Sequence, residues 1–276
     1  MLEAGENPQL LAFSGGGDRA EEGWQTEVRV SRGINQNVVA AASVDPAAPA
    51  GGDVTATTLP LTVDTSPAPA PGENEEAADQ QVRVEVGEPR YTDLDAAEDI
   101  ASAQGFLMSW RADSNGAVST LRLLAPENST ERGRQVVESS LLTLISTNVV
   151  LPEQPVGVGG TWTVRNRITG DAAMQRTTTY KVTDVQGQTV TLDVKVAEEP
   201  SDSSVSIDNE VAGALNGQTL NVESAETTSE GSIVVDLARP VPVRGHVNAT
   251  TRVVFAGPQA DNRVVQDITT AVDYGD

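Results

Sequence analysis

The sequence predicts a mainly β chain of the α+β class, with antiparallel strands in a curved sheet, half-barrel or sandwich packed on one longer and one shorter helix. Three observations carry that expectation. Several segments alternate apolar and polar residues with period two, as in Trp24, Thr26, Val28, Val30 and in Val190, Leu192, Val194, Val196. Turn pairs such as Asn115-Gly116, Gln186-Gly187 and Gly257-Pro258 separate such segments at hairpin spacing. One long stretch, 131–147, carries helical periodicity instead.

Residues 1–22, with Gly15-Gly16-Gly17, show no period and are expected as a flexible, loosely held entry segment to a single β-rich domain over 23–276. No Gly-Lys-Ser or Gly-Lys-Thr follows those glycines, which argues against a phosphate loop. Trp24 opens a half-buried strand. Val38 and Val39 begin a second that ends by the turn-rich stretch Asp45 to Gly52, and a third runs from Val54 to Val63, where Pro60 marks an edge or a bulge. Residues 65–79 are rich in proline, alanine and acid, so a disordered loop is expected there. Val82, Val84 and Val86 make the next strand. Thr92 is placed to cap a short helix through about Ala103, with acid in its first turn. A hairpin at Asn115-Gly116 then sets Phe106, Met108 and Trp110 against Leu121 and Leu123.

The chain is organised around residues 131–169. Val137, Leu141, Leu144, Ile145 and Asn148 recur at three- and four-residue spacing, predicting a helix over about 130–147 with Asn128 and Glu131 as a capping pair. Pro152 and Pro155 cannot continue it, and Gly157, Gly159 and Gly160 permit a sharp turn into the strand opened by Trp162. Thr178, Tyr180 and Val182 pair with the 190–196 segment in the clearest hairpin. Further strands are expected at about 203–209, 218–228, 231–237, 246–255 and 263–273. Two candidate halves, 23–125 and 160–276, joined by the helix, each open a strand on a Gly/Trp pair. Duplication and convergent strand chemistry both account for that.

The wording LPEQPVGVGGTW, after an amphipathic helix and before strand pairs such as TTTYKVTDVQGQTVTLDVKV, resembles an uncharacterised family of secreted actinobacterial proteins that includes lipoproteins. The likeness runs from about Leu10 onward, though only that central motif is specific to it. The resemblance implies an extracytoplasmic, cell-envelope address, and it carries no activity and no catalytic residues. Such lipoproteins are anchored through a lipidated cysteine, which this sequence lacks.

Composition narrows the partners. A net charge of -22 and a pI near 4.2 would repel a phosphate backbone, so no nucleic acid is expected, and simple adsorption on anionic lipid heads is disfavoured equally. Only Lys181 and Lys195 among the 18 basic residues are lysines, a bias that fits a GC-rich genome. The absence of cysteine excludes disulfides and thiolate chemistry. No apolar run approaches the roughly 18 residues of a membrane span. Met1 to Glu6 has neither a basic nor an apolar signal region, and the expectation is an export signal already removed.

No catalytic set emerges, and none is assigned; the same holds for cofactor-binding and metal residues. His246 has no histidine or cysteine partner for zinc, and no Gly-x-Ser-x-Gly elbow gives it a serine to activate. Asp93, Asp95, Glu98 and Asp99 are dense enough for calcium, but acid at a helix N-terminus explains them without a ligand. A glycosidase pair needs only closeness in space, yet sugar sites are rich in aromatics. Here Trp24, Trp110 and Trp162 lie on inward strand faces. Gly157-x-Gly159-Gly160 precedes a strand and so is not a dinucleotide loop. The leading expectation is a non-enzymatic envelope protein acting by binding, as an accessory or scaffold module for a protein partner or membrane assembly, with its interior filled. The alternative is a carrier for a lipid or other apolar ligand, and an envelope hydrolase ranks third.

Overall fold

Two runs of antiparallel strands form the sheet, joined by the pairing of the second strand with the last. The computed structural model describes residues 3–15, 23–73, 75–168, 173–206, 218–257 and 261–275. The first run comprises β2 (Trp24–Ala40), β3 (Thr55–Pro67), β4 (Gln80–Val86), β6 (Leu107–Ala112) and β7 (Val118–Leu124). Its neighbour comprises β9 (Thr161–Ile168), β10 (Met174–Gln186), β11 (Thr189–Pro200), β13 (Thr219–Asp236), β14 (Arg244–Ala256) and β15 (Asn262–Tyr274). The order is β7-β6-β4-β3-β2-β15-β14-β13-β11-β10-β9, with β5 (Arg90–Tyr91) beside β3 and β12 (Ser204–Ser206) beside β13. β7 and β9 are the two edges, so the sheet is curved but not closed. The mainly β, antiparallel architecture with two helices is thus what the sequence predicts.

Period-two alternation sorts the side chains. Val28 and Val30, Leu59 and Leu61, Val82 and Val84, Met108 and Trp110, Tyr180 and Val182, and Val190, Leu192 and Val194 all point to one face and enter one core. Helix α2 (Glu131–Ser146) adds Val137, Leu141 and Leu144 to that core. Its cap is Thr130, whose hydroxyl accepts from the Gly133 N–H, and not the expected Asn128/Glu131 pair. α1 (Ala97–Ala101) is preceded by a 3-10 turn at 94–96 capped by Asp93 rather than Thr92.

Several expected boundaries move. β2 is one strand of 17 residues, with no break before Val38, because β15 pairs with it along its upper length. The expected strands 218–228 and 231–237 are one strand, β13, and Glu230-Gly231 is no turn. Gly231 is needed inside the strand: a Cβ there would lie 3.1 Å from Val194 Cβ and from the His246 carbonyl. Asn216-Gly217 and the end of the 203–209 segment lie outside the described residues, as do residues 16–22 with Gly16-Gly17.

Two stretches expected to be loose are held. Residues 6–9 form β1, which pairs with β8 (Val156–Val158), while Leu11 and Phe13 are buried in the core. Phe13 and Ser14 donate backbone N–H groups to Ser114 and Leu237, tying the β6–β7 and β13–β14 turns together. Gly157 and Gly160 let this segment approach: a Cβ on Gly157 would sit 1.9 Å from the Glu6 carbonyl. In the 65–79 loop, Arg111 donates to the carbonyls of Pro69 and Glu76, and Glu75 pairs with Arg111 and Arg122. Arg111 is buried beneath it, so charge-assisted bonds replace the apolar contacts that the composition lacks.

Candidate functional site

Helix α2 has a second face. Ser139, Leu142, Thr143 and Ser146 follow one another at three- and four-residue spacing beside the core stripe, and they border an open cleft of about 450 Å³ between the helix and the concave face of the sheet. The opposite wall is built from β2 and β15, where Ile34 and Ile268 are cross-strand partners. Ile168 of β9 and Met174 of β10 close the far side. Ile34 (48% exposed) and Leu142 (37% exposed) put apolar surface at its mouth.

The floor is polar. Arg176 and Glu198, each with 5% of its side chain exposed, form an ion pair in which the guanidinium Nε and Nη2 reach Glu198 Oε1 at 2.8 and 2.7 Å. Thr251 Oγ1 donates to Glu198 Oε2 at 2.8 Å, and Arg176 Nη1 donates to Ser146 Oγ at 3.2 Å. Nearer the rim, Arg32 Nη1 donates to Ser139 Oγ at 2.7 Å. The helix hydroxyls of Ser139, Thr143 and Ser146 give their own protons to the carbonyls of Val136, Ser139 and Thr143. Helix and sheet are therefore cross-linked by polar bonds around a space that is not filled.

Beside the floor the sheet itself changes character. Backbone pairing of β11 with β13 runs only as far as Asp193 opposite Ser232. Beyond it, Ser229 Oγ accepts from the Val196 N–H and donates to the Val196 carbonyl, and Thr227 Oγ1 accepts from the Glu198 N–H. Side-chain hydroxyls thus take over the ladder where Glu198 enters the cleft.

Below the cleft the interior is closed. Trp162 stacks on Tyr180 at a centroid distance of 5.2 Å and donates its indole N–H to the Val150 carbonyl at 2.8 Å. Tyr274, also buried, shares a 2.7 Å hydrogen bond with Thr147 Oγ1. Burial pushes the Tyr274 phenol up to about 12, and burial together with neighbouring Tyr274 raises Tyr180 still further. Both must stay neutral in the fold. Their contribution to stability is complete below the ordinary tyrosine value of about 10 and falls as pH rises above it, the Tyr274 share being lost as pH climbs through about 12. A urea midpoint that falls across that alkaline window, in step with phenolate absorbance, is the expected result.

The residues singled out in the sequence lie elsewhere. His246 is exposed on the convex face of β14, opposite Ser232 and Asp273. Asp93 caps the 3-10 turn and pairs with Arg132, and no cluster of metal-ligating side chains occurs among the described residues. Trp110 and Trp162 are core residues, and Trp24 carries the Arg239 guanidinium 4.4 Å above its ring. The leading expectation of a filled interior holds for the core but not beside α2. The one signal of the cleft in the sequence is the small, polar 139/143/146 stripe, to which no role was assigned above.

No helix among the described residues is long and apolar enough to cross a membrane. No curated protein matches the chain. Residues 136–239, which carry most of α2, the 151–162 motif, β10 and β11 with Arg176 and Glu198, match the model of DUF6263, a family of unknown function.

Proposed function

We propose that the chain is a non-enzymatic binding protein that carries a lipid or another apolar, small ligand in the cleft between α2 and the curved sheet. The observation that supports it is the cleft itself: about 450 Å³ left open, with Ile34, Leu142, Ile168, Met174 and Ile268 as apolar patches in a mixed lining, within the few hundred Å³ typical of ligand sites and beside a core that is packed shut. The address that goes with this reading is the cell envelope, and the matched family would be the secreted actinobacterial one that the central motif resembles.

Leu142→Trp tests it. The added ring would occupy the mouth, and the exposed helix position should keep stability within about 0.5 kcal/mol. Binding of a neutral fluorescent probe such as N-phenyl-1-naphthylamine is expected to drop at least tenfold. Probe binding that survives unchanged would remove the cleft as the site. Native mass spectrometry of protein extracted from its own envelope should also show a co-purifying lipid.

The accessory-module reading keeps one observation of its own. Leu107 and Leu124, cross-strand partners beside the β7 edge, are 44% and 65% exposed, where a protein partner would dock. A clean apo mass together with a co-purifying membrane complex would favour it.

A further inference from the structure

We infer that the cleft selects an uncharged amphiphile, bearing a hydroxyl or amide rather than a carboxylate or phosphate, and that Glu198 is the residue that sets this preference. The inference rests on the cleft being the binding site. Arg176 is the cation at the floor, and an anionic head entering there would ordinarily pair with it. Glu198 already occupies that role: its Oε1 takes both the Nε and the Nη2 of Arg176, and Thr251 fixes the other oxygen. A second anion would be desolvated on entry and meet a neutralised pair, with a carboxylate beside it that repels it. Arg32 does not restore the attraction, because it is partly exposed near the rim, where water screens it, and it is engaged with Ser139. The chain as a whole, at -22, adds a long-range field of the same sign.

A neutral head has partners instead. Thr143 Oγ1, having donated to the Ser139 carbonyl, presents lone pairs to the cleft, and Glu198 Oε2 accepts from Thr251 alone among the described contacts. An O–H or N–H of the ligand satisfies either, while its chain lies along Ile34, Leu142 and Ile268.

The test compares 1-dodecanol and monolauroylglycerol with laurate, at a pH where laurate is ionised, as competitors of N-phenyl-1-naphthylamine on the intact chain. The native protein should bind the neutral pair at least tenfold more tightly. In Glu198→Gln, which keeps one acceptor oxygen for Arg176 and nearly the same shape while removing the charge, Arg176 is left uncompensated and laurate should gain at least tenfold relative to 1-dodecanol. The doubly neutral variant, Arg176→Gln with Glu198→Gln, should return to the native order, separating charge from shape and from any loss of stability in the single variant. Laurate binding the native protein as well as 1-dodecanol does would overturn the inference and leave the cleft standing. A ratio unmoved by Glu198→Gln would overturn the role of Glu198. Probe displaced by neither class would bring down the binding reading and this one with it.

Discussion

Trp162→Ala is expected to destabilise the fold by about 3–5 kcal/mol, the range for removing a buried aromatic. The ring is 4% exposed, stacks on Tyr180, and its N–H satisfies the Val150 carbonyl between α2 and the 151–162 motif. Trp162→Phe would retain most of the packing while orphaning that carbonyl, so it should cost about 1–3 kcal/mol. Urea denaturation of the two variants separates the terms. A midpoint unmoved by the alanine variant would mean that the 151–162 motif does not organise the core.

Glu198→Ala should cost a similar amount, about 3–5 kcal/mol, for a different reason. It strands the Arg176 guanidinium at 5% exposure without a counter-charge, and the cleft alongside admits water that holds the loss to the lower part of that range. Replacing both residues by methionine removes the charges together and should bring stability back to within about 1 kcal/mol of native, or above it. If the double variant is as unstable as the single, the pair is contributing more than mutual compensation. Chemical denaturation of Arg176→Met, Glu198→Met and the double variant closes the cycle.

The elements legible in the sequence are those whose information is local. The β10–β11 hairpin was readable because Tyr180, Val182, Val190 and Leu192 alternate about Gln186-Gly187, and the pairing puts Val182 opposite Leu192. The helix was readable from its stripe, and lies at 131–146. Leu11 and Phe13 were not, since two isolated apolar residues have no period, and their burial depends on turns at Ser114 and Leu237 far along the chain. Gly231 misled because glycine punctuates turns more often than it relieves crowding inside a strand. The cleft was the least legible part. Its walls come from segments near 34, 142, 174 and 268, and no spacing links them. A buried Arg–Glu pair is likewise invisible when Arg176 and Glu198 look like ordinary strand polars; the register of β10 with β11 places them opposite each other.

The join between β2 and β15 has a consequence in time. On the ribosome β2 emerges well before β15, the neighbour that pairs with it from Val28 to Ala40. Until β15 is made that edge stands open, in search of a partner it must not find in another chain. Because Ile34 meets Ile268 only across this seam, that wall of the cleft cannot form before β15 is made. The cleft therefore takes shape only after both runs of strands have been made.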